Sequence, residues 1–388
     1  MMFMATPFAI LVFIIRPVVH VRFNRINRAR IGHFVADACM MLAFKTIDSD
    51  QRYYDLCWYS AGAPANSFFD KKIHELLDFN IFAQYVAQVI KYFPYGAEHT
   101  DVFRDSRDKD CVFYRTINVK SSYVNFDKSE NKMGFDYLRK HGINQGDKFV
   151  CLLVRDSAYL ESFSSNYLTD KDWSYHDYRN SDIDTYSLMV DELIKRGYWV
   201  IRMGKVVKKK MAYANHKMID YACLDDKSDF LDIWLMANCF FCVTTGTGLD
   251  KVCQAYRVPQ VFVNSLPLIH MSSCDHGITA TKKLCWKGTN KLLTLNECFD
   301  NSYQGSQQYY EHSIDIVDMS NIEIKNVVIE MEERLTGKWV DTERDKSLQA
   351  EFKKVLKKHK DYTKYHNCMH PEARYSTSFL RQSPDWIR

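Results

Sequence analysis

The chain has 388 residues, 46% of them hydrophobic and 26% charged, with a formal net charge of +4. That length exceeds one ordinary core and predicts two domains of a soluble globular protein. A charge so near balance excludes nucleic acid as the expected partner.

The first residues, "MMFMATPFAILVFII", are apolar and stop at Arg16-Pro17. They fall short of a bilayer span of about 20 residues, and they lack the basic start and small-residue cleavage site of a signal peptide. Arg16, Arg22, Arg25, Arg28 and Arg30 follow, with no acidic residue before Asp37. An apolar stretch beside an arginine cluster suits peripheral contact with an anionic membrane surface. A buried first helix or strand is the equal alternative.

"VVHVRFN" (18–24) alternates as a strand does, and "FVADACMMLAF" (34–44) has helical spacing. Strand 52–60 and helices 71–77 and 80–93 continue an alternation that predicts a parallel sheet. Residues 99–131 are polar and read as irregular connection, before a helix over 133–143. From Lys148 the alternation restarts, with strands at 148–156, 198–204, 240–245 and 259–265 and helices at 182–197, 229–239 and 249–257. The expected fold is α/β, with two Rossmann-like doubly wound domains. The expected boundaries are an apolar segment 1–17, a first domain 18–146, a second 147–340 and a helical tail 341–388.

The 12 cysteines have no regular spacing, so a reducing, cytoplasmic setting is expected rather than a disulfide framework. Cys239 and Cys242 form a CxxC amid phenylalanines and read as buried thiols. His366, Cys368 and His370 lack a second pair at zinc spacing, so no metal site is expected.

Chemistry is expected in the loops at the carboxyl ends of the second-domain strands. "TTGTG" (Thr244, Thr245, Gly246, Thr247, Gly248) lies between a strand and a helix. Glycines admit close backbone approach, and hydroxyls and a helix start favour an anion such as a diphosphate. A plain tight turn is the alternative. Arg155 ends a strand above the same loops, and Arg179 in "YHDYRNSDIDTY" has the fork geometry for phosphate oxygens. Asn180 and Ser181 are candidates for hydrogen-bonding a sugar. Asp182 reads as a helix cap. Lys205 follows a strand and lies near the rim, or is a solvated surface lysine. In the first domain, "RARIGHF" sets Arg30 and Gly32 at a loop and His33 at a helix start, as a candidate base or a mere cap. Asp37 lies one turn on, placed to orient the imidazole or to act itself.

"RARIGHF", "KFVCLLVRDSAYL", "YHDYRNSDIDTYSLMVDELIKRGYWVIRMG" and "DFLDIWLMANCFFCVTTGTGLDKVCQAYRVPQVFVN" resemble a bacterial family of glycosyltransferases associated with surface polysaccharide, over about residues 16–290, with an echo in "SFLRQSPDWI". More distantly the chain is similar to the heptosyltransferases. There a glycine and an acid after a strand supply the acceptor-side base; here Gly32 matches the glycine and His33 stands where the acid would be. The 244–248 run resembles the heptosyltransferase donor loop, and Arg155 resembles the phosphate-binding arginine of GT-B fucosyltransferases.

The resemblance implies a GT-B fold whose domains face across a cleft. It implies sugar transfer from a nucleotide-sugar donor to a surface-glycan or lipid-linked acceptor at the inner face of a membrane, with no metal or other cofactor. A nucleotide-sugar epimerase, a non-catalytic nucleotide- or sugar-binding module and a phosphate-binding protein of other chemistry, such as a phosphatase, are the alternatives.

Overall fold

The computed structural model describes residues 1–47, 52–60, 62–100, 122–167, 172–273, 276–289, 291–366 and 369–387. The chain divides into two compact units, Met1–Phe126 and Asp127–Arg388. Most of the polar stretch read as a connection, 101–121, lies outside the described residues, and so does Cys368.

Among the described residues, the first unit holds three parallel strands in the order β1 (His20–Ile26), β2 (Tyr53–Tyr59) and β3 (Asp78–Phe79). The alternation in β1 predicts one wet face, yet Val21 to Asn24 are all buried. Parallel strands are covered on both sides. The polar members are satisfied across the ladder: Arg22 Nε and Nη2 lie 2.8 and 2.6 Å from the carboxylate of its register partner Asp55, and Asn24 Nδ2 donates to that carboxylate at 3.1 Å. The apolar start is a helix, Met2–Ile15, which seats Ala5 and Ala9 with the helix Ala83–Ile90 in one core. Its other side is open: Phe3 is 92% exposed and Ile14 64%. No helix among the described residues is long and apolar enough to cross a membrane.

In the second unit, seven strands form one parallel sheet: β4 (Phe149–Leu153), β5 (Trp199–Arg202), β6 (Met218–Ile219), β7 (Cys242–Thr244), β8 (Gln260–Ser265), β9 (Gly277–Thr281) and β12 (Arg374–Tyr375), in the spatial order 12-9-8-7-4-5-6. The chain winds outward from β4 in one direction through β5 and β6. It then returns to β7 and winds the other way. β10 (Lys283–Trp286) and β11 (Ile314–Val317) form a separate antiparallel pair, which the sequence pattern does not announce.

The helix Lys128–Lys140 opens earlier than the expected 133, on an Asp127–Glu130 capping box, and Gly142 with φ +87° ends it. It belongs to the second unit, not the first. The Trp234 indole donates to Asn131 at 3.1 Å, and a Cβ on Gly134 would meet that ring at 2.1 Å. The tail is likewise part of this unit: Arg374 and Tyr375 add an edge strand, and the buried Glu330 carboxylate accepts from the amides of Thr377 and Ser378 at 2.9 and 3.3 Å.

Candidate functional site

The reversal of winding direction falls between β4 and β7, which are neighbours in the sheet. Loops leaving the carboxyl ends of such a pair diverge and leave a crevice, the usual ligand position in open α/β sheets. After β4 come Val154, Arg155 and Asp156; after β7 comes the 244–248 turn. The two loops are joined by a reciprocal pair of bonds. The amide of Thr245 donates to Leu153 O at 3.1 Å, and the amide of Arg155 donates to the Thr245 hydroxyl at 2.9 Å.

The turn itself is fixed from beneath. Gly246 sits at φ +80°, which only glycine adopts without strain. Its amide donates to the Thr244 hydroxyl at 3.0 Å, and that hydroxyl donates to the Asp250 carboxylate at 3.0 Å. Asp250 is buried. Burial raises its pKa against the opposing pull of Lys251, Thr244, the Thr247 amide and Arg179. The amides of Thr245, Gly246 and Thr247 are therefore spent inside the chain. Two other groups of the turn are the Gly246 carbonyl, which accepts from the Arg179 guanidinium, and the Thr247 hydroxyl, which is buried with no hydrogen-bond partner among the described residues.

The phenol of Tyr178 is pushed up by burial and drawn down by the charges of Arg179 and then Arg155. Asn180 and Ser181 follow Arg179 on a loop held by residues far away in sequence. The Ser181 amide donates to Arg155 O at 2.9 Å. Its hydroxyl donates to Asp318 at 3.1 Å and accepts from Asn264 Nδ2 at 2.8 Å. The buried Lys282 pairs with Asp318 at 2.7 Å and donates to Asn180 O at 2.5 Å. Asp182 accepts from the Asp184 amide at 3.1 Å, as a cap does. Lys205 stands 3.4 Å from Asp229 on the surface.

A cavity of about 400 Å³ opens beside this loop. Asn180 and Ser181 line it; Arg155, Arg179, Lys205 and the 244–248 turn do not. Sequence reading missed Asp250, Asn264, Lys282 and Asp318. Asp250 stands in the quoted run, where its turn-anchoring role follows from a hydroxyl six residues back. The other three carry no local signal, because only the fold brings them to the loop.

In the first unit the helix Ile31–Ile47 begins beyond Arg30, whose carbonyl accepts from the Phe34 amide at 2.9 Å, and Gly32 lies in its first turn. His33 is exposed, whereas Asp37 is buried and accepts from the Asn27 amide at 3.0 Å, which ties the end of β1 to this helix. The basic cluster is partly engaged. Arg16 pairs with Glu98, Arg22 with Asp55 and Arg28 with Asp70. Of the metal candidates, His366 is a satisfied core residue: its ring nitrogens bond Ser273 Oγ at 2.7 Å and Ile269 O at 2.9 Å, and burial lowers its pKa to about 4. Cys239 and Cys242 are buried. Among the described residues no group of three or more His, Cys, Asp or Glu side chains is arranged to hold a metal.

No family model matches the sequence, and no curated protein matches it. Solved structures that are similar include the following three. A glycosyl transferase family 9 protein from Veillonella parvula is 11% identical, with TM-score 0.42 over 68% of this chain and 86% of that one. The ADP-heptose LPS heptosyltransferase II of E. coli is 10% identical, with TM-score 0.44 over 81% of this chain and 99% of that one. An iron-containing dodecameric glycosyltransferase from enterotoxigenic E. coli is 14% identical, with TM-score 0.34 over 64% and 59% of the two chains.

Proposed function

We propose that the protein is a glycosyltransferase of the GT-B type that moves a sugar from a nucleotide-sugar donor to a glycan or lipid-linked acceptor. The observation that carries this reading is the Arg179 guanidinium on the turn that follows β7, with Arg155 tied beside that turn through its amide, at the reversal point of a parallel sheet. A guanidinium on the glycine turn, a second arginine on the adjoining loop and the Thr247 hydroxyl are the donors that a departing diphosphate needs as charge grows on its leaving oxygen. They supply that charge compensation without a metal ion. Arg179 is preset on the Gly246 carbonyl, so a diphosphate would exchange one acceptor for stronger, charged ones.

On the acceptor side we propose His33 as the base that takes the proton of the attacking hydroxyl, since its ring is exposed. Asp37, fixed on the Asn27 amide, would orient the helix that carries it.

The reading includes peripheral contact with a lipid surface through the helix Met2–Ile15. That helix carries no charged side chain, and its hydroxyl-bearing Thr6 donates to Met2 O at 3.5 Å. Its length of about 21 Å is too short to cross a hydrocarbon core of roughly 30 Å. Exposed Tyr92 and Tyr95, with Arg16 stacked on the Tyr95 ring at 4.7 Å, provide the aromatic and basic rim that suits a headgroup region.

A thermal-shift screen with UDP, GDP, CMP, ADP and their sugars tests the donor assignment. A ligand that binds only the folded chain raises its melting temperature. The expected result is a rise with one nucleotide and its sugar, followed by release of the nucleoside diphosphate when the right acceptor is added. Release of an altered nucleotide sugar without any acceptor would instead mark an epimerase.

A further inference from the structure

The cavity of about 400 Å³ beside the 180–183 loop differs in chemistry from the arginine-bearing turn next to it. Its charged lining balances: the carboxylates of Asp156, Asp182 and Asp318 face the cations of Arg202, Lys208 and Lys209. A diphosphate gains little from a lining without surplus positive charge. A nucleobase needs a flat apolar or aromatic slab, and no aromatic ring among the described residues lines this space. Carboxylates that accept and ammonium groups that donate, at pocket size, suit a ring bearing several hydroxyls.

The carboxylates are held in place. Asp156 accepts from the amides of Ala158 at 3.0 Å and Lys208 at 2.8 Å; Asp182 is paired with Lys209 at 2.8 Å; Asp318 is fixed by Ser181 and Lys282. Asp182 Oδ1 takes both Lys209 and the Asp184 amide; with up to four lone-pair sites, each carboxylate as a whole keeps accepting capacity for a ligand. Arg202 is almost fully buried, paired with Asp220 at 3.2 Å, and its Nε has no partner among the described residues. The cavity is continuous in chain with the anion site, because Val154 and Asp156 flank Arg155, and Asn180 follows Arg179.

We infer that this cavity is the subsite for a neutral polyhydroxylated ring, the glycosyl or ribosyl part of the donor, held apart from the diphosphate. The inference rests on the sugar-transfer reading. It is tested on the full chain by calorimetric titration with inorganic pyrophosphate, with the nucleoside diphosphate that raises the melting temperature, and with its sugar.

Two variants are compared with wild type. Ser157→Leu narrows the cavity, with its melting temperature as the folding control. Asp182→Asn keeps a capping acceptor and removes one charge without adding bulk. The expected result is at least a tenfold loss of nucleotide-sugar affinity in both variants, with pyrophosphate binding unchanged. Loss confined to the sugar-bearing ligand assigns the glycosyl ring, and equal loss for the bare nucleoside diphosphate assigns the ribosyl ring.

Unchanged affinity for both nucleotides in both variants overturns the inference and leaves the donor reading intact. A parallel loss of pyrophosphate binding in Asp182→Asn also overturns it, since cavity and turn would then be one site. If no nucleotide binds the wild-type chain, the donor reading fails and the inference fails with it.

Discussion

The amide of Arg155, just past the end of β4, donates to the hydroxyl of Thr245, just past the end of β7, at 2.9 Å. That bond extends the pairing of the two strands past the register of Leu153 with Thr244. It sets the divergence of the loops only after Arg155 and the turn are side by side. The position of the Arg155 backbone is thus a consequence of strand pairing rather than of loop chance.

The turn's rigidity depends on Thr244. Thr244→Val preserves shape but removes the acceptor of the Gly246 amide and a donor to the buried Asp250 carboxylate. Leaving such groups unmet costs about 1–3 kcal/mol each. Urea denaturation should show a loss of about 2–4 kcal/mol, and nucleotide affinity should fall with it. An unchanged midpoint would mean the turn is not anchored through this hydroxyl.

Arg179→Ala should weaken nucleoside diphosphate binding by roughly 10- to 100-fold, about 1.4–2.8 kcal/mol, with little change in melting temperature. Arg179→Lys should recover only part of it, because an ammonium cannot fork to two oxygens. Arg155→Ala should behave likewise. Full activity in both alanine variants would put the donor elsewhere.

How much of this was legible in advance depends on the range of each signal. The β4 and β7 strands are continuous apolar runs, the mark of strands buried on both faces, and the "TTGTG" and "YRNSDIDTY" segments announce loops by composition. The α/β organisation follows from that alternation. Lys282, Asn264 and Asp318, which hold Asn180 and Ser181, stand 80 or more residues away along the chain, and no local pattern points to them. The inward use of three turn amides was equally invisible, because it depends on Leu153, Thr244 and Asp250 meeting in space. In the opposite sense, β1 alternates clearly and yet is buried on both faces, since Asp55 on the next strand satisfies its polar members.

Asp232 provides a pH test of the second unit. Burial pushes its carboxyl up to about 6, against the Tyr221 hydroxyl that donates to it at 2.9 Å and the pull of Lys205. A folded pKa above the unfolded value of about 3.9 means the folded state holds this proton more tightly. Stability from this group therefore falls as pH rises from about 4 to 6, and the cost is complete above about 6. Asp232→Asn keeps an acceptor for Tyr221 and cannot ionise. It should be more stable than wild type at pH 7.5, by on the order of 2 kcal/mol, and equal to it near pH 4. A constant difference across that range would contradict the assignment.

The lipid contact predicts a change that leaves the fold alone. Phe3→Asp with Ile14→Asp alters two side chains that face outward, while Ala5 and Ala9 keep their seat in the core they share with the helix Ala83–Ile90. The double variant should float with anionic phosphatidylglycerol vesicles far less than wild type, at an unchanged melting temperature. Equal flotation of the two proteins removes the membrane from the account.

A crystal structure of the chain with its nucleoside diphosphate bound tests the central claim most directly. The account predicts phosphate oxygens within about 3 Å of the Arg179 guanidinium and the Thr247 hydroxyl, with Arg155 on the same group. Phosphates seated anywhere else on the second unit, with Arg179 still on the Gly246 carbonyl, would contradict it.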